Sequence, residues 1–427
     1  MSEYQGYAGE SLQWLKKNNV KVGNSIKITA DGLTNSGIIM PRQESGDDKH
    51  LVLKLGSGYN VPIKINEIQD HQLISSPEIK PKQDQERKED PELPKILLLG
   101  TGGTIASKVD YRTGAVTPAL TASDLYETVP ELRDIANFDT EVLFSEYSEN
   151  LQPDHWTKIA EKLHSLADSD YKGILIAHGT DTMHYTSAFL SFALAGFPIP
   201  VALVGSQRSS DRASSDAAIN LTAASNFLVK SNTNGVFLVM HHDEKQTVAC
   251  HLGTKVRKNH TSKREAFETM GGDPAFIIVE GEIKKNMQGD FFEDENYNPR
   301  MKIDTKVSLV KYHPGYDPQL IENLIQTGCK AIIFEGTGLG HVGRTMYDMI
   351  KKADENGLFL GMTSQCGDGR INMNVYESGR DLLELGITPL KNMTPETSLV
   401  KAMWALGNSK NVVEMKDLME EEIASEF

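Results

Sequence analysis

Two short threonine-bearing turns carry the residue types that could supply an activated hydroxyl nucleophile. Gly100-Thr101-Gly102-Gly103-Thr104 completes the apolar run KILLLG, and Ala177-His178-Gly179-Thr180-Asp181-Thr182 completes GILIA. A turn that follows a buried strand lies at the carboxyl edge of a sheet, where α/β proteins place their ligands. Two such turns at one edge can face each other across a crevice. The first has no GxxxxGK[ST] pattern, and Ile105 and Ala106 follow Thr104 where a dinucleotide fingerprint would continue toward its third glycine, so a nucleotide loop is disfavoured. Alone, the first turn would suit close packing as well as catalysis. The hydroxyl and carboxylate side by side at Thr180 and Asp181 favour catalysis.

A threonine hydroxyl is a weak nucleophile until a neighbouring base takes its proton, and a lysine acting as that base must be kept neutral by its surroundings. The segment KVRKNHTSKREAF supplies Lys255, Lys258 and Lys263 as candidates, and spacing alone does not choose among them. His241, His242, Asp243, Cys250 and His251 cluster in sequence, but in no recognised zinc spacing, so no metal is expected. Gly336-Thr337-Gly338-Leu339-Gly340-His341 is a further glycine turn after a strand.

The elements that must hold these residues follow from apolar patterning. Residues 9 to 19 form an amphipathic helical pattern. Alternating segments at Val20–Thr29, Ser36–Pro41, His50–Leu55 and Tyr59–Ile65, punctuated by glycines, predict a small β-barrel over residues 1–74. Residues 75–94 hold four prolines and many charges, too little apolar surface to offset ordering entropy, and predict a linker. Beyond it, KILLLG, EVLF, GILIA, VALVG and GVFLVM alternate with helical stretches such as His155–Leu166 and Ser187–Ala195. Strands apolar on both faces predict a parallel sheet covered by helices over residues 95–290. Residues 281 to 305 are polar and irregular. VSLVKYHPG, KAIIFEG and FLGMTSQ then predict a second α/β domain over 306–410, and residues 411–427 an acidic, solvated C-terminal helix.

Composition bounds the function classes. The 427 residues exceed one ordinary core, and 39% hydrophobic with 24% charged residues is the balance of a folded globular chain. No long apolar run and no signal-peptide pattern is present, which suggests a cytoplasmic protein. Cys250, Cys329 and Cys366 are widely spaced, so disulfides are not expected. The 59 acidic against 44 basic residues, a net charge of −15, oppose unspecific attraction to a phosphate backbone.

Four segments, TGGTIAS at 101 to 107, HGTDT at 178 to 182, GSQRSSDRASSDAAINL at 205 to 221 and KNHTSKREAF at 258 to 267, resemble, in order, the signatures of the bacterial-type L-asparaginase family. The resemblance implies a two-domain asparaginase-like body with parallel sheets flanked by helices. It implies Thr104 as nucleophile, Thr180 and Asp181 as the second catalytic threonine and its acid, and Lys258, from the family's K-x₈-F pattern, as base. Tyr111 is similar to the loop tyrosine that activates the nucleophile. Gly103 belongs to the substrate-holding turn. Ser148 and Glu149 fall where the family holds the substrate's α-carboxylate and α-amino group, with Glu149 in place of the family's glutamine.

The N-terminal extension and the form SQRSSDRASSDAAINL are similar to the branch of the family found in archaeal tRNA-dependent amidotransferases. That branch implies release of ammonia from glutamine or asparagine and a partner, the E-type subunit of the glutamyl-tRNA(Gln) amidotransferase, that binds Glu-tRNA(Gln) and uses ATP and Mg. It also implies a homodimer within a heterotetramer, no cofactor in this chain, and tRNA contact mainly through the partner. The rival reading is a free-standing L-asparaginase with an accessory domain.

Overall fold

The computed structural model describes residues 4, 6–40, 42, 47–55, 60–75, 90–103, 105, 107–109, 116–118, 125–126, 129–208, 215–243, 247–286 and 297–427. The N-terminal unit is helix α1 (Gly9–Lys17) with strands β1 (Ser25–Ala30), β2 (Leu33–Ile39), β3 (His50–Leu55), β4 (Asn60–Lys64) and β5 (Ile68–Ser75). They form an antiparallel sheet in the order β4-β3-β2-β1-β5; among the described residues no pairing joins the two outer strands into a closed barrel. Alternation sends Ile26, Ile28, Leu51 and Leu53 into a separate small core with Leu15 and Val20. β5 has no counterpart in the sequence-based expectation: it is an edge strand with Leu73 and Ile74 in solvent, so its pattern carries no buried face.

The central lobe holds β6 (Lys95–Gly102), β7 (Ser107–Val109), β8 (Val116–Pro118), β9 (Asn137–Glu146), helix α2 (Pro153–His164), β10 (Gly173–Ala177), α3 (Met183–Ala193), β11 (Val201–Val204), α4 (Ala217–Lys230) and β12 (Val236–His241). Strands β13 (Val248–Leu252), β14 (Val256–Lys258), β15 (Phe267–Thr269), β16 (Phe276–Val279) and β17 (Glu282–Lys285) complete it. Eight strands form one sheet in the order β17-β16-β13-β12-β11-β10-β6-β9. The expected parallel sheet is only part of it. β9, β6, β10, β11 and β12 are parallel, and β13, β16 and β17 extend the sheet antiparallel. β13 is buried along its whole length, so neither alternation nor a crossover helix marks it in sequence.

Both faces are covered. Leu97, Leu99, Ile174 and Ile176 point to one core, Ile96, Leu98 and Leu175 to another packed by α4. α2 presents Trp156, Ile159, Ala160 and Leu163 to the first core, a helical i, i+3, i+4, i+7 stripe, and starts with a capping box between Gln152 and His155.

The second lobe contains β18 (Val307–Lys311), α5 (Gln319–Gln326), β19 (Ala331–Gly336), α6 (Tyr347–Glu355), β20 (Phe359–Ser364), α7 (Glu377–Glu384), β21 (Thr388–Pro389), α8 (Pro395–Asn408) and α9 (Val412–Glu420). Its parallel sheet runs β18-β19-β20-β21. One face packs on α5, α6 and α7. The other, through Ala331, Ile333 and Phe359, joins the first core together with Trp404 and Ala405 of α8. One apolar core therefore spans both lobes. The segment expected as a solvated terminal helix differs: Met415 and Met419 of α9 are buried, as are Ala424 and Glu426 beyond it. Among the described residues no helix is long and apolar enough to cross a membrane.

Candidate active site

The strand order β9-β6-β10 means that the chain leaves β6 toward one side of the sheet and later continues on the other. The carboxyl ends of β6 and β10 thus flank a topological switch point, where helices diverge and leave a crevice. The carboxyl end of β6 brings Thr101 there, its Oγ1 donating to the Ala177 carbonyl at 2.9 Å. Gly102 and Gly103 have φ of 127° and 76°, a region that favours glycine. A methyl group on Gly103 would lie 2.8 Å from the Gly179 nitrogen, and one on Gly179 would lie 2.8 Å from Cβ of Ser148. Turns from three adjacent strands therefore touch, and side chains larger than hydrogen would hold them apart.

Thr104 and Tyr111 lie outside the described residues. Ile105, next to Thr104, is buried in the second core. Ser148 is buried, and its carbonyl accepts from Thr182 Oγ1 at 2.7 Å, which ties the turn after β9 to the turn after β10. Glu149, one residue on, is exposed.

Lys258 Nζ donates to Thr180 Oγ1 at 2.8 Å and to Asp181 Oδ1 at 2.7 Å. Its side chain is 9% exposed, whereas that of Asp181 is 67% exposed. Of the three lysines in the segment, this one alone enters the crevice at Thr180. Lys263 points to solvent beside Glu265. Lys255 is buried, and burial lowers its pKa, but no hydrogen bond links it to either threonine turn among the described residues. The K-x₈-F spacing has a structural reason: Lys258 and Phe267 are direct cross-strand partners in the β14–β15 ribbon, and Phe267 is buried.

Two histidines lie behind the Thr180 turn. Burial pushes His178 down to about 4, and its ring bridges the Gly179 carbonyl and Thr186 Oγ1 at 2.7 and 2.9 Å. His184 is also lowered to about 4, by burial first and then by the positive charges of Arg257 and Lys258. Neutral imidazoles therefore line the inner wall. Composition alone gives no sign of this, nor of the pair between Arg257 and Glu396 on α8 at 3.1 Å.

Of the other sequence candidates, His241 and His251 sit on neighbouring strands β12 and β13. His251 Nδ1 lies 2.8 Å from Thr269 Oγ1, and burial depresses its pKa to about 3. The Gly336–His341 segment closes as a tight turn after β19 through the Thr337 N–H and the His341 carbonyl at 2.9 Å.

The arrangement joins a hydroxyl, an amine and a carboxylate in one chain of contacts beside a glycine turn. Residues 95–289 match the family described as Asparaginase, N-terminal, residues 306–419 the Glutaminase/Asparaginase C-terminal domain, and residues 20–74 the GatD N-terminal domain. The chain is 44% identical, over 97% of its length and 93% of the relative's, to a Sulfurisphaera tokodaii protein named as the D-type subunit of a glutamyl-tRNA(Gln) amidotransferase. It is 43% identical to the protein of that name from Pyrococcus furiosus, over 97% of each. The thermostable L-asparaginase from Thermococcus kodakarensis superposes with a TM-score of 0.71 at 31% identity, covering 78% of this chain and 99% of that one.

Proposed function

We propose a mechanism from one premise: the chain belongs to the family of D-type subunits of glutamyl-tRNA(Gln) amidotransferase, the asparaginase-like glutaminase subunits of a ligase-type amidotransferase. Thr104 attacks the side-chain amide carbonyl of glutamine or asparagine. Its Oγ bonds to the carbonyl carbon, the C–N bond breaks, and ammonia leaves with the hydroxyl proton. Water then adds to the acyl-enzyme, releasing the carboxylic acid and restoring the hydroxyl. Backbone amides of the Gly102–Gly103 turn stabilise the oxyanion, a role that preorganised N–H groups fill at little reorganisation cost.

The observation that carries this reading is Lys258 Nζ held between Thr180 Oγ1 and Asp181 Oδ1. As water adds to the acyl-enzyme it gives a proton to Thr180 Oγ1 while Thr180 passes its own to Lys258. Asp181 orients the lysine and offsets the ammonium charge that results, and the proton returns to Thr104 Oγ as the acyl group leaves. Tyr111 assists Thr104. Ser148 and Glu149 hold the substrate's α-carboxylate and α-ammonium. A carboxylate at Glu149 attracts the ammonium more strongly than an amide would.

The ammonia serves a partner, the E-type subunit of the amidotransferase, which activates the glutamyl group of misacylated Glu-tRNA(Gln) with ATP and Mg to give Gln-tRNA(Gln). This chain needs no cofactor of its own and works as a homodimer within a heterotetramer. Its net charge of −15 supports leaving most tRNA contact to the partner.

The test measures ammonia release from glutamine and asparagine by the full chain, alone and with the E-type partner, Glu-tRNA(Gln), ATP and Mg, beside Thr104→Ala. Stimulation by the partner, formation of Gln-tRNA(Gln) and loss of both in Thr104→Ala are expected. Full activity alone, unchanged by the partner, would make the chain a free-standing L-asparaginase with an accessory domain.

A further inference from the structure

Lys401 and Glu426 form an ion pair with both side chains fully out of solvent. Withdrawing two charges from water is costly unless the remaining donors and acceptors are met. Here they are. Lys401 Nζ also donates to the Met419 and Glu421 carbonyls at 3.2 and 2.5 Å. The Glu426 carboxylate accepts from the backbone of Ile423 and Ala424. Ser425 takes a left-handed φ of 54°, a strained conformation for a non-glycine residue. Phe427 covers the ammonium, its ring centroid 4.7 Å from Nζ. Segment 421–427 is thus folded tightly around one lysine of α8.

This folding delivers the Ala424 carbonyl to Thr254, whose Oγ1 donates to it at 2.8 Å. The Thr254 carbonyl accepts from Thr397 Oγ1 of α8, also at 2.8 Å. Further along the chain, Arg257 pairs with Glu396 of the same helix. The next residue is Lys258. The stretch that leads into the lysine is therefore gripped at positions 254 and 257 by the second lobe.

We propose that segment 421–427, with Glu396 and Thr397, is a positioning clamp that sets the reach of Lys258 toward Thr180. The proposal rests on the reading of Lys258 as the base for Thr180. Proton transfer requires heavy atoms within hydrogen-bond reach, and a misplacement of about 1 Å can cost on the order of 100-fold in rate. The clamp residues are positioning residues that act through Lys258.

The experiment uses the full chain with its partner subunit and measures ammonia release from glutamine in Thr254→Val, Thr254→Ser, Glu426→Gln and Lys258→Ala. Thr254→Val keeps the shape of the side chain and removes the donor to Ala424. A fall in kcat of about tenfold or more with KM within about twofold is expected for Thr254→Val and Glu426→Gln, and Thr254→Ser should restore most of the rate. A purely structural role would instead lower the melting temperature and leave kcat per folded molecule unchanged. Wild-type kcat in folded Thr254→Val or Glu426→Gln overturns the clamp, as does a change confined to KM. Failure of both to fold assigns the network to stability alone and overturns it too. Lys258→Ala separates the two readings: a wild-type rate there removes the base assignment itself, while an inactive Lys258→Ala beside fully active clamp variants removes only the clamp.

Discussion

Lys258 and Phe267 face each other across the β14–β15 ribbon, so the position of a polar group in the crevice is set by an apolar side chain buried beneath it. The separation of the two in sequence is the length of one hairpin. Phe267→Ala should cost about 3–5 kcal/mol through the cavity it opens. Ammonia release should fall even at temperatures where the variant remains folded. Thermal unfolding and a rate measurement on the same sample check both; a destabilised variant with an unchanged rate would show that the ribbon does not position the lysine.

Gly103→Ala combines two penalties. Its left-handed φ disfavours a side chain by about 1–2 kcal/mol, and the added methyl group would press on the Gly179 nitrogen. Separation of the two turns should reduce kcat by at least about tenfold while circular dichroism stays native. Gly272→Ala, where a methyl group meets nothing within 4 Å, is the control and should leave the rate unchanged.

Asp181 is exposed but bonded to a nearly buried Lys258, so its charge acts at the crevice mouth. Asp181→Asn retains size and loses the charge. A drop of about ten- to a hundredfold in kcat is expected, with KM little changed. A steady-state titration with glutamine decides it: a shift in KM alone would make Asp181 a substrate contact.

His178, His184 and His251 have folded pKa values held by burial at about 4, 4 and 3, below the ordinary 6.5. The unfolded chain binds these protons first as pH falls. The stability contribution is thus complete above about pH 6.5 and is lost progressively down to about pH 4 and 3. Stability measured by urea unfolding should be lower at pH 5 than at pH 7, by about 1–2 kcal/mol per histidine. His178→Gln should weaken the pH dependence; identical stability at both values would contradict the assignment.

Much of this arrangement is legible in the sequence where burial and chemistry coincide. The runs GILIA and VALVG mark strands because both faces are apolar, and the turns after them mark the site because glycine and hydroxyl residues follow directly. Other parts are hidden for identifiable reasons. β5 reads IQDHQLIS, a polar edge with no buried stripe. β13 is uniformly buried and joins the sheet antiparallel, so its direction has no local signal. Glu426 belongs to an acidic run that suggests solvent, yet its partner Lys401 is reached only through the packing of α8 and α9. Residue spacing does not single out Lys258 from Lys255 and Lys263, because what separates them is which way each points from a two-stranded ribbon.

The apolar core that holds Leu97 and Ile174 also holds Ile333, Phe359 and Trp404. Each lobe therefore leaves half of a common interior uncovered when taken by itself. A backbone nick between residues 286 and 297 would yield two fragments that aggregate when expressed singly and reconstitute one another when co-expressed. In this fold, the unit of inheritance for amide cleavage is the pair of lobes, and neither lobe can be exchanged between relatives without the face it was shaped to meet.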